Sequence, residues 1–325
     1  MRITVLAGGF GGSRFIAGVR DAIGPDDELS VIANTADDLW LFGLRVSPDL
    51  DTIMYTLGGG IDPDRGWGRT EETWNAKEEL TAYGEPQAWF GLGDRDLATH
   101  LVRTARLRAG QTLTEATAEL CRRWEIGVTL LPMCDAEVET HIATTVDGRD
   151  EVIHFQEYWI KHQATVPVRG VELHGIEAAR PTDEVLTAID MADVVLVAPS
   201  NPIVSIGPIV AVPGMSEALR AARAPVVGVS PIIGGAAVRG MADQLLDGLD
   251  IENSAVGVAG QLGARSEGGL LDGWLVDTEE AGEVEGIEAA GIVARSVPLY
   301  MRDTATTRQL AVDALDLATS LGVRS

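Results

Sequence analysis

The chain has 325 residues and a formal net charge of −24, with 46% hydrophobic and 23% charged residues. This composition is typical of an ordinary globular protein, and the length suits one large domain or two. The negative charge is expected to repel nucleic acid over most of the surface. An anionic substrate could still bind through a metal ion, backbone amides and a few local arginines. Composition therefore argues against a nucleic-acid-binding protein.

The cysteine content and the apolar runs indicate the compartment. Two cysteines, Cys121 and Cys134, are too few for a disulfide framework or a cysteine metal cluster, and they suit a reducing cytosol. The first residues, MRITVLAGG, are too short and too broken by glycine for a signal peptide. No apolar run approaches the ~20 residues that a membrane span requires. We therefore expect a cytoplasmic protein without membrane contact.

The chain begins with a predicted strand, RITVL, and a glycine-rich segment, AGGFGGSRFIAGV. The pattern predicts a tight glycine turn and then a helix over 13–19, a geometry that presents backbone N–H groups to phosphate. The dinucleotide fingerprint is broken because Arg14 replaces its third glycine, and no lysine is placed for a P-loop. The segment is either a structural turn or an anion site, and we favour anion binding. The candidate residues are Gly8, Gly9, Gly11, Gly12, Ser13 and Arg14.

Two acidic pairs lie in the segment 34–52, which begins with Asn34 after a predicted buried strand. Ser47 suits a helix N-cap and Pro48 the first helical position, so the second pair lies at a helix start. Either pair alone is typical of a turn or of a helix-dipole partner. Together they could converge on Mg²⁺, which prefers carboxylate and phosphate oxygens. The four residues are Asp37, Asp38, Asp49 and Asp51.

Aromatic and charged residues cluster between the second predicted helix and the start of the third. Trp67 and Trp74 lie in loop-like sequence, where their rings could stack on a planar ligand or form a small aromatic core. Asp94 is a plausible helix N-cap, which would place Arg95 and His100 near the helix start. His100 could be a general base, although a lone histidine is more often structural.

The remaining pattern predicts the fold. Continuous apolar runs at 193–198 and 226–229 are typical of buried parallel strands, and alternating residues predict a smaller β-rich insert over 136–174. We therefore predict an α/β protein with a doubly wound, mostly parallel, Rossmann-like sheet. Its nucleotide-binding core is predicted to comprise 1–135 and 175–325, with the insert between them.

Both apolar runs open into small polar loops that contain proline or glycine. Ligands bind beyond the carboxyl ends of strands in such sheets, so these loops are candidate binding sites. Ordinary strand-to-helix turns would explain either loop equally well. The candidate residues are Ser200, Asn201, Ser205, Gly234 and Gly235.

Taken together, the motifs resemble the 2-phospho-L-lactate transferase family of coenzyme F-420 biosynthesis. The match runs in order over nearly the whole chain and rests on GGFGG, NTADDLW, SPDLDT, LGDRDLATH, LLPMCD, HFQEYW, APSNPIVSIGPI and SPIIGG. The segment GGGIDPDRGWGRTEETWNAKEEL is more similar to the branch that uses phosphoenolpyruvate. The resemblance implies a Mg²⁺-dependent homodimer. Such an enzyme transfers a phosphoenolpyruvyl or 2-phospholactyl group from a GDP-activated donor to 7,8-didemethyl-8-hydroxy-5-deazariboflavin and releases GMP.

The resemblance also implies roles for the candidate residues. The glycine segment, Asn34 and the two later loops would hold the GDP part, with Asp37 and Asp51 on Mg²⁺. Asp49 or Asp51 would orient the attacking hydroxyl or accept its proton, and Arg14 or Arg95 would hold a phosphate or the substrate carboxylate. The implied deazaflavin site comprises Asp51, Trp67, Trp74, Gly91, Asp94, Arg95 and His100. At position 91 this chain has glycine, whereas some members of the family have lysine.

Two other classes remain as alternatives. The gluconeogenesis-factor regulators share a similar glycine loop and strand order, and resemble a non-catalytic sugar-nucleotide-binding module. The tryptophan cluster and SPDLDT favour the transferase, because a regulator would not need them. A dehydrogenase that uses NAD is disfavoured by the broken fingerprint. Binding of GDP with deazaflavin, of a UDP-sugar, or of NAD distinguishes the three.

Overall fold

The computed structural model describes residues 1–238 and 242–322, so the predicted core positions 239–241 and 323–325 lie outside the described residues. The strands within the described part are β1 Arg2–Ala7, β2 Glu28–Ala33, β3 Leu39–Leu41, β4 Leu44–Val46, β5 Thr129–Pro132, β6 Glu139–Val146, β7 Arg149–His154, β8 Val168–His174, β9 Val194–Val197, β10 Val226–Val229, β11 Ile232–Ile233, β12 Ala236–Ala237, β13 Gly273–Val276 and β14 Val293–Ser296. The α-helices there are α1 Gly9–Ala22, α2 Pro48–Leu57, α3 Asn75–Ala82, α4 Asp94–Arg108, α5 Leu113–Trp124, α6 Asp183–Asp190, α7 Gly207–Ala211, α8 Met215–Ala221, α9 Ala242–Gly248, α10 Ala255–Leu262, α11 Val284–Ala289 and α12 Thr304–Leu321.

One large sheet organises the described chain. It contains seven strands in the order β14-β13-β10-β9-β1-β2-β5, and the neighbouring strands are parallel. The chain moves outward from β1 through β2 in one direction and from β9 through β10 in the other. This confirms the predicted doubly wound, mostly parallel fold. The order reverses between β1 and β9, and ligands bind at such a switch point.

Alternate side chains of the sheet enter two different hydrophobic cores. Leu6 and Ile32 face one layer, which includes Val185 of α6 and Leu219 of α8. Their neighbours on the same strands face the opposite layer, which is closed by α1 and α12. Burial on both faces explains why these strands read as continuous apolar runs. The two layers hold the strand ends, and the loops that follow them, in fixed positions.

Helix α1 begins at Gly9, four residues earlier than the sequence predicts. The expectation of a glycine turn through Gly12 is therefore wrong. Gly12 lies inside the helix, where an added Cβ would stand 2.5 Å from the Ser200 hydroxyl and 3.0 Å from the Ala7 Cβ. Its lack of a side chain permits close packing of the helix on the sheet rather than a turn.

The predicted β-rich segment contains an antiparallel sheet of β7, β6 and β8. Within the predicted β-rich insert, β7 stops at His154, and Glu157–Lys161 form a π-helix rather than further strand. The Phe155 ring stacks on Tyr158 and Trp159, with centroids 6.4 and 6.3 Å away, a spacing that suits a helical turn. That 136–174 forms a separate subdomain stays a prediction.

Among the described residues, no single helix is long and apolar enough to cross a membrane. The segments Pro202–Ala211 and Met215–Ala221, which meet at 81°, reach that length and composition only when taken together. Ile209 and Met215 of these segments are buried in the core.

Candidate active site

A cavity of about 730 Å³ opens at the carboxyl edge of the sheet, over the switch point. Gly8 follows β1 and Ser200 follows β9, and the two residues join the loops directly. The Ser200 hydroxyl accepts a hydrogen bond from the Gly8 amide at 3.0 Å and donates to the Gly8 carbonyl at 2.7 Å. The loops on both sides of the switch point therefore form one continuous floor.

Many of the predicted nucleotide-binding residues line this cavity. Those at its wall are Gly8, Gly9, Gly11, Arg14, Ser200, Asn201 and Ser205. Gly12, Ser13 and Asn34 are not at its wall, and Gly234 and Gly235 form the turn between β11 and β12. The cavity reaches that hairpin through its neighbours, Ser230 and Ile233.

The N-terminus of α1 faces the cavity without a side-chain cap. Its N-cap is Gly8, which offers no side-chain acceptor, and the amide of the next residue, Gly9, donates to Asp49. A helix N-terminus also carries a partial positive charge that favours phosphate. An added Cβ at Gly8 would lie 2.5 Å from Asp49 Oδ2 and 2.9 Å from the Ser205 hydroxyl. Only glycine fits between the helix start and these groups.

Asp37 and Asp49 form a buried acidic pair beside this helix start, and both line the cavity. Burial raises the pKa of Asp49 to about 6, although hydrogen bonds from Asn34 and Gly9 oppose the shift. Burial and the charge of Asp49 raise the pKa of Asp37 well above its usual value. Asp37 Oδ1 has no hydrogen-bond partner in the described part of the chain. Two adjacent carboxylates with a free buried oxygen fit a hard divalent cation.

Asn34 supports this pair rather than a ligand. Its side-chain amide donates to Asp49 Oδ2 at 2.9 Å and to the Val204 carbonyl at 3.2 Å. Its oxygen accepts from the Ala36 amide at 3.0 Å. The side chain therefore fixes Asp49 against the segment that follows β9.

Asp51 lies on α2 and also lines the cavity, but it has a different partner. The guanidinium of Arg103 binds both of its carboxylate oxygens, one of them at 3.1 Å. Arg103 is 1% exposed and Asp51 is 4% exposed, so this is a buried ion pair. Arg103 therefore offsets the charge of Asp51, whereas neither Asp37 nor Asp49 forms an ion pair within the described residues. The predicted metal pair, Asp37 and Asp51, stays a prediction.

His100 lies between two carboxylates on the buried side of α4. Its Nδ1 is 3.6 Å from Asp51, its Nε2 is 3.4 Å from Asp96, and ligand atoms of the three residues lie within 4.8 Å of one another. Such a cluster could hold a metal ion. However, Arg103 Nη1 lies 3.3 Å from His100 Nδ1, and arginine can only donate. Nδ1 is then the acceptor, and the proton of the neutral ring is on Nε2.

Trp67 forms part of the cavity wall, and Trp74 lies behind it. The two rings are 6.5 Å apart at 68°, and the Arg65 guanidinium lies 5.1 Å from the Trp67 ring and 5.0 Å from the Trp74 ring. Trp74 does not line the large cavity but lines a shallow pocket beside it, together with Trp67 and Gly91. The predicted aromatic residues are thus brought together at one end of the cavity.

Asp94 and Arg95 are not at the cavity wall. Asp94 is the first residue of α4 rather than its N-cap, so that expectation is wrong. Its carboxylate accepts hydrogen bonds from the Thr73 hydroxyl at 2.7 Å and the Ala76 amide at 2.9 Å. These bonds, with others from Asn75, lower the pKa of Asp94 to about 2. Arg95 forms an ion pair with Glu71 at 3.0 Å.

Several wall residues were not singled out from sequence. Phe155, Gln156 and Trp159 line the cavity from the segment after β7, and Tyr300 and Arg302 line it from the segment before α12. The aromatic spacing after β7 was interpreted as strand, which hid its role. Arg103 had a stronger signal, because Asp96, His100 and Arg103 share one helical face at spacings of four and three residues.

Comparisons with known proteins give a consistent result. A sequence model of the family described as 2-phospho-L-lactate transferase CofD matches residues 3–314. A phosphoenolpyruvate transferase of Streptomyces griseus subsp. griseus is 57% identical over 318 residues, which is 98% of both chains. Another phosphoenolpyruvate transferase, from Streptomyces coelicolor, is 55% identical over 318 residues, which is again 98% of both chains. The crystal structure of protein BH3568 from Bacillus halodurans has a TM-score of 0.63 at 17% identity and covers 97% of this chain and 99% of that one. At that identity the similarity concerns the fold alone.

Proposed function

Because the chain belongs to the 2-phospho-L-lactate transferase CofD family, we propose that it transfers a phosphoenolpyruvyl group in coenzyme F-420 biosynthesis. The donor is the GDP-activated form of that group and the acceptor is 7,8-didemethyl-8-hydroxy-5-deazariboflavin. Phosphoenolpyruvyl is preferred to 2-phospholactyl because the relatives at 57% and 55% identity are named phosphoenolpyruvate transferases.

The observation that carries the proposal is the continuity of the cavity. Its wall includes the start of α1 and Arg14, which suit a diphosphate. Its wall also includes Trp67, which suits a planar ring. Asp37, Asp49 and Asp51 line the same cavity. A diphosphate and an aromatic acceptor in one cavity are what a transfer between them requires, because the reacting atoms must lie side by side.

In this reaction the terminal hydroxyl of the acceptor side chain attacks the phosphorus that carries the three-carbon acid. A new P–O bond forms, the P–O bond to GMP breaks, and the proton of the hydroxyl leaves. In the proposed mechanism Asp51 accepts a hydrogen bond from the hydroxyl and then its proton, while Arg103 holds the carboxylate in place. The proton passes from Asp51 to solvent, and GMP departs with its negative charge.

Asp37 and Asp49 would hold the divalent cation, for which we propose Mg²⁺. When bound, the ion offsets the charge of the diphosphate and of the departing GMP. The raised pKa of Asp37 is consistent with this role, because it reflects two buried acids that a cation would stabilise in the charged form.

The test is a turnover assay with the purified protein, Mg²⁺, the acceptor, and either the phosphoenolpyruvyl or the 2-phospholactyl donor. We expect equal amounts of GMP and of the acceptor phosphodiester, and faster turnover with the phosphoenolpyruvyl donor. Absence of GMP with both donors would refute the proposal. Tight binding of a UDP-sugar instead of GDP would favour a regulator.

We also propose that the enzyme is a homodimer, as the family resemblance implies. Light scattering of the purified chain tests this directly. A mass of twice 34.4 kDa is expected, and a mass of one chain would contradict it.

A further inference from the structure

The shallow pocket beside the main cavity has a volume of about 580 Å³ and shares Trp67 and Gly91 with it. Trp74, Lys77, Glu78 and Thr81 complete its wall. The pocket therefore adjoins the main cavity at the residues proposed to bind the acceptor ring. The pocket holds one of the two lysines of the whole chain.

Lys77 reaches this pocket from α3 and lies beside Gly91. Its Nζ lies 5.6 Å from the centre of the Trp74 ring. A Cβ added at Gly91 would stand 3.6 Å from Nζ, 3.5 Å from Trp74 and 3.9 Å from Trp67. The ammonium group thus lies where the two indole rings and the bare backbone of residue 91 meet.

The other basic groups near this pocket are already paired. Arg65 forms an ion pair with Asp62 at 2.9 Å, and Arg95 forms one with Glu71 at 3.0 Å. For Lys77, within residues 1–238 and 242–322, the structure shows neither an ion pair nor a side-chain hydrogen bond; its ammonium contacts the Trp74 ring. In a chain with a net charge of −24, an ammonium with no carboxylate partner among aromatic rings is unusual.

These contacts suit a ligand that is planar and also carries a negatively charged oxygen. The rings supply stacking, and the ammonium supplies a charge-assisted hydrogen bond to one oxygen at the ring edge. The proposed acceptor has both features. Its ring hydroxyl is conjugated with ring carbonyl groups, and such a hydroxyl is acidic because its anion is delocalised.

We propose that Lys77 is a specificity-determining residue that binds the ionised ring hydroxyl of the deazaflavin acceptor in the pocket between Trp67 and Trp74. The inference rests on the proposed function, because it takes the acceptor from it. It adds how the enzyme selects that acceptor: riboflavin is also a planar tricyclic ring with a ribityl chain, but it has no ring hydroxyl for Lys77 to bind. Lys77 therefore favours the deazaflavin over flavins.

The test compares wild type, Lys77→Met and Lys77→Arg, with Lys161→Met as the control. Lys161 is the other lysine of the chain, and it is paired with Glu157 at 2.6 Å outside both cavities. The probes are the deazaflavin acceptor and riboflavin, and binding is followed by ligand fluorescence. The absorption spectrum of the bound acceptor, recorded against pH, reports the pKa of its ring hydroxyl.

We expect Lys77→Met to weaken acceptor binding about 10- to 100-fold, the range of a hydrogen bond to a charged group. Lys77→Arg should retain most of the affinity, and Lys161→Met should change nothing. The hydroxyl pKa of the bound acceptor should be higher in Lys77→Met than in wild type. Riboflavin should bind weakly and equally to all four proteins.

Three outcomes overturn the inference. Unchanged acceptor affinity in Lys77→Met would refute it and leave the proposed function intact. Equal losses for the acceptor and riboflavin would also refute it, because a general disturbance of the pocket does not discriminate between the two ligands. Failure of wild type to bind the acceptor at all would refute the proposed function as well.

Discussion

Asp94 and Glu72 cap each other's helices. Asp94, in α4, accepts hydrogen bonds from the start of α3, and Glu72, which precedes α3, accepts hydrogen bonds from the start of α4. Asp94 binds the first turn of α3, and Glu72 accepts from the amides of Arg95 and Asp96 at 2.6 and 3.1 Å at the start of α4. Carboxylates at helix N-termini satisfy free N–H groups and complement the helix dipole. This reciprocal capping fixes the segment 72–76, which contains Trp74, to α4.

Replacing Asp94 with asparagine should loosen that segment. The charged carboxylate is favoured in the folded protein because the pKa of Asp94 is about 2 rather than 3.8. Its stabilising effect is therefore fully present above about pH 4 and is lost as the pH falls to about 2. We expect faster hydrogen exchange at the Asn75 and Ala76 amides in Asp94→Asn at pH 7. The difference from wild type should shrink as the pH falls through about 2, where Asp94 becomes protonated, and a difference that stays constant down to that pH would contradict this account.

Removing either Asp37 or Asp49 should abolish cation binding without unfolding the protein. Both carboxylates are buried, and each raises the cost of ionising the other, so Asp37→Asn should raise the melting temperature in the absence of divalent cations. Mg²⁺ should raise the melting temperature of wild type and leave that of Asp37→Asn and Asp49→Asn unchanged. Turnover in both variants should fall by about 100-fold or more, as expected when a bound metal is lost.

The control for these variants is Asp64→Asn, whose side chain is exposed in the segment before Trp67. It should match wild type in both melting temperature and Mg²⁺ response. Asp51→Asn separates the two metal assignments. It should retain the Mg²⁺ response if Asp37 and Asp49 hold the ion, and lose that response if Asp37 and Asp51 do.

Arg103→Met should be strongly destabilising because it leaves the buried Asp51 carboxylate without its partner. Breaking one side of a buried ion pair costs about 3–5 kcal/mol. The double variant Arg103→Met/Asp51→Asn removes both charges and should recover much of that stability, measured by urea unfolding. Its turnover should remain as low as that of Asp51→Asn alone. Recovery of turnover would show that Asp51 has no role in the reaction.

Gly8→Ala should reduce GDP binding at least tenfold and also lower the melting temperature, because the buried Asp49 and Ser205 must shift to admit the methyl group. The φ of Gly8 is −153°, so alanine adopts the backbone conformation without strain, and the effect comes from the added methyl group alone. That methyl group would lie 2.5 Å from Asp49 Oδ2 and must displace it. Gly260→Ala is the matched control, because α10 leaves open space at that position. Calorimetric titration with GDP and Mg²⁺ measures both, and equal affinities would contradict the account.

The sequence predicted the elements that local rules determine. The strand over 226–229 was predicted at its observed bounds, and Ser47 and Pro48 marked the start of α2. These signals depend on apolar periodicity and on side chains within one turn. The start of α1 was missed because its glycines are required by a contact with Ser200, which is remote in sequence.

The sequence likewise predicted only some of the residues of the candidate site. Asp37, Asp49 and Asp51 were identified from the acidic pairs, but their partners were not. That Asp49 lies beside Asp37 while Arg103 neutralises Asp51 depends on how α2 and α4 pack. Lys77 has no motif around it, and its importance follows from the space at Gly91.

The central claim is that one cavity holds the GDP end of the donor and the deazaflavin acceptor side by side. Fluorescence titration of the acceptor in the presence and absence of saturating GDP and Mg²⁺ tests it most directly. We predict that the acceptor binds in both conditions and that GDP does not displace it, because the two ligands are proposed to use different wall residues, the start of α1 with Arg14 for GDP and Trp67 for the acceptor. Competition between GDP and the acceptor, or no acceptor binding at high micromolar concentration, would contradict the account.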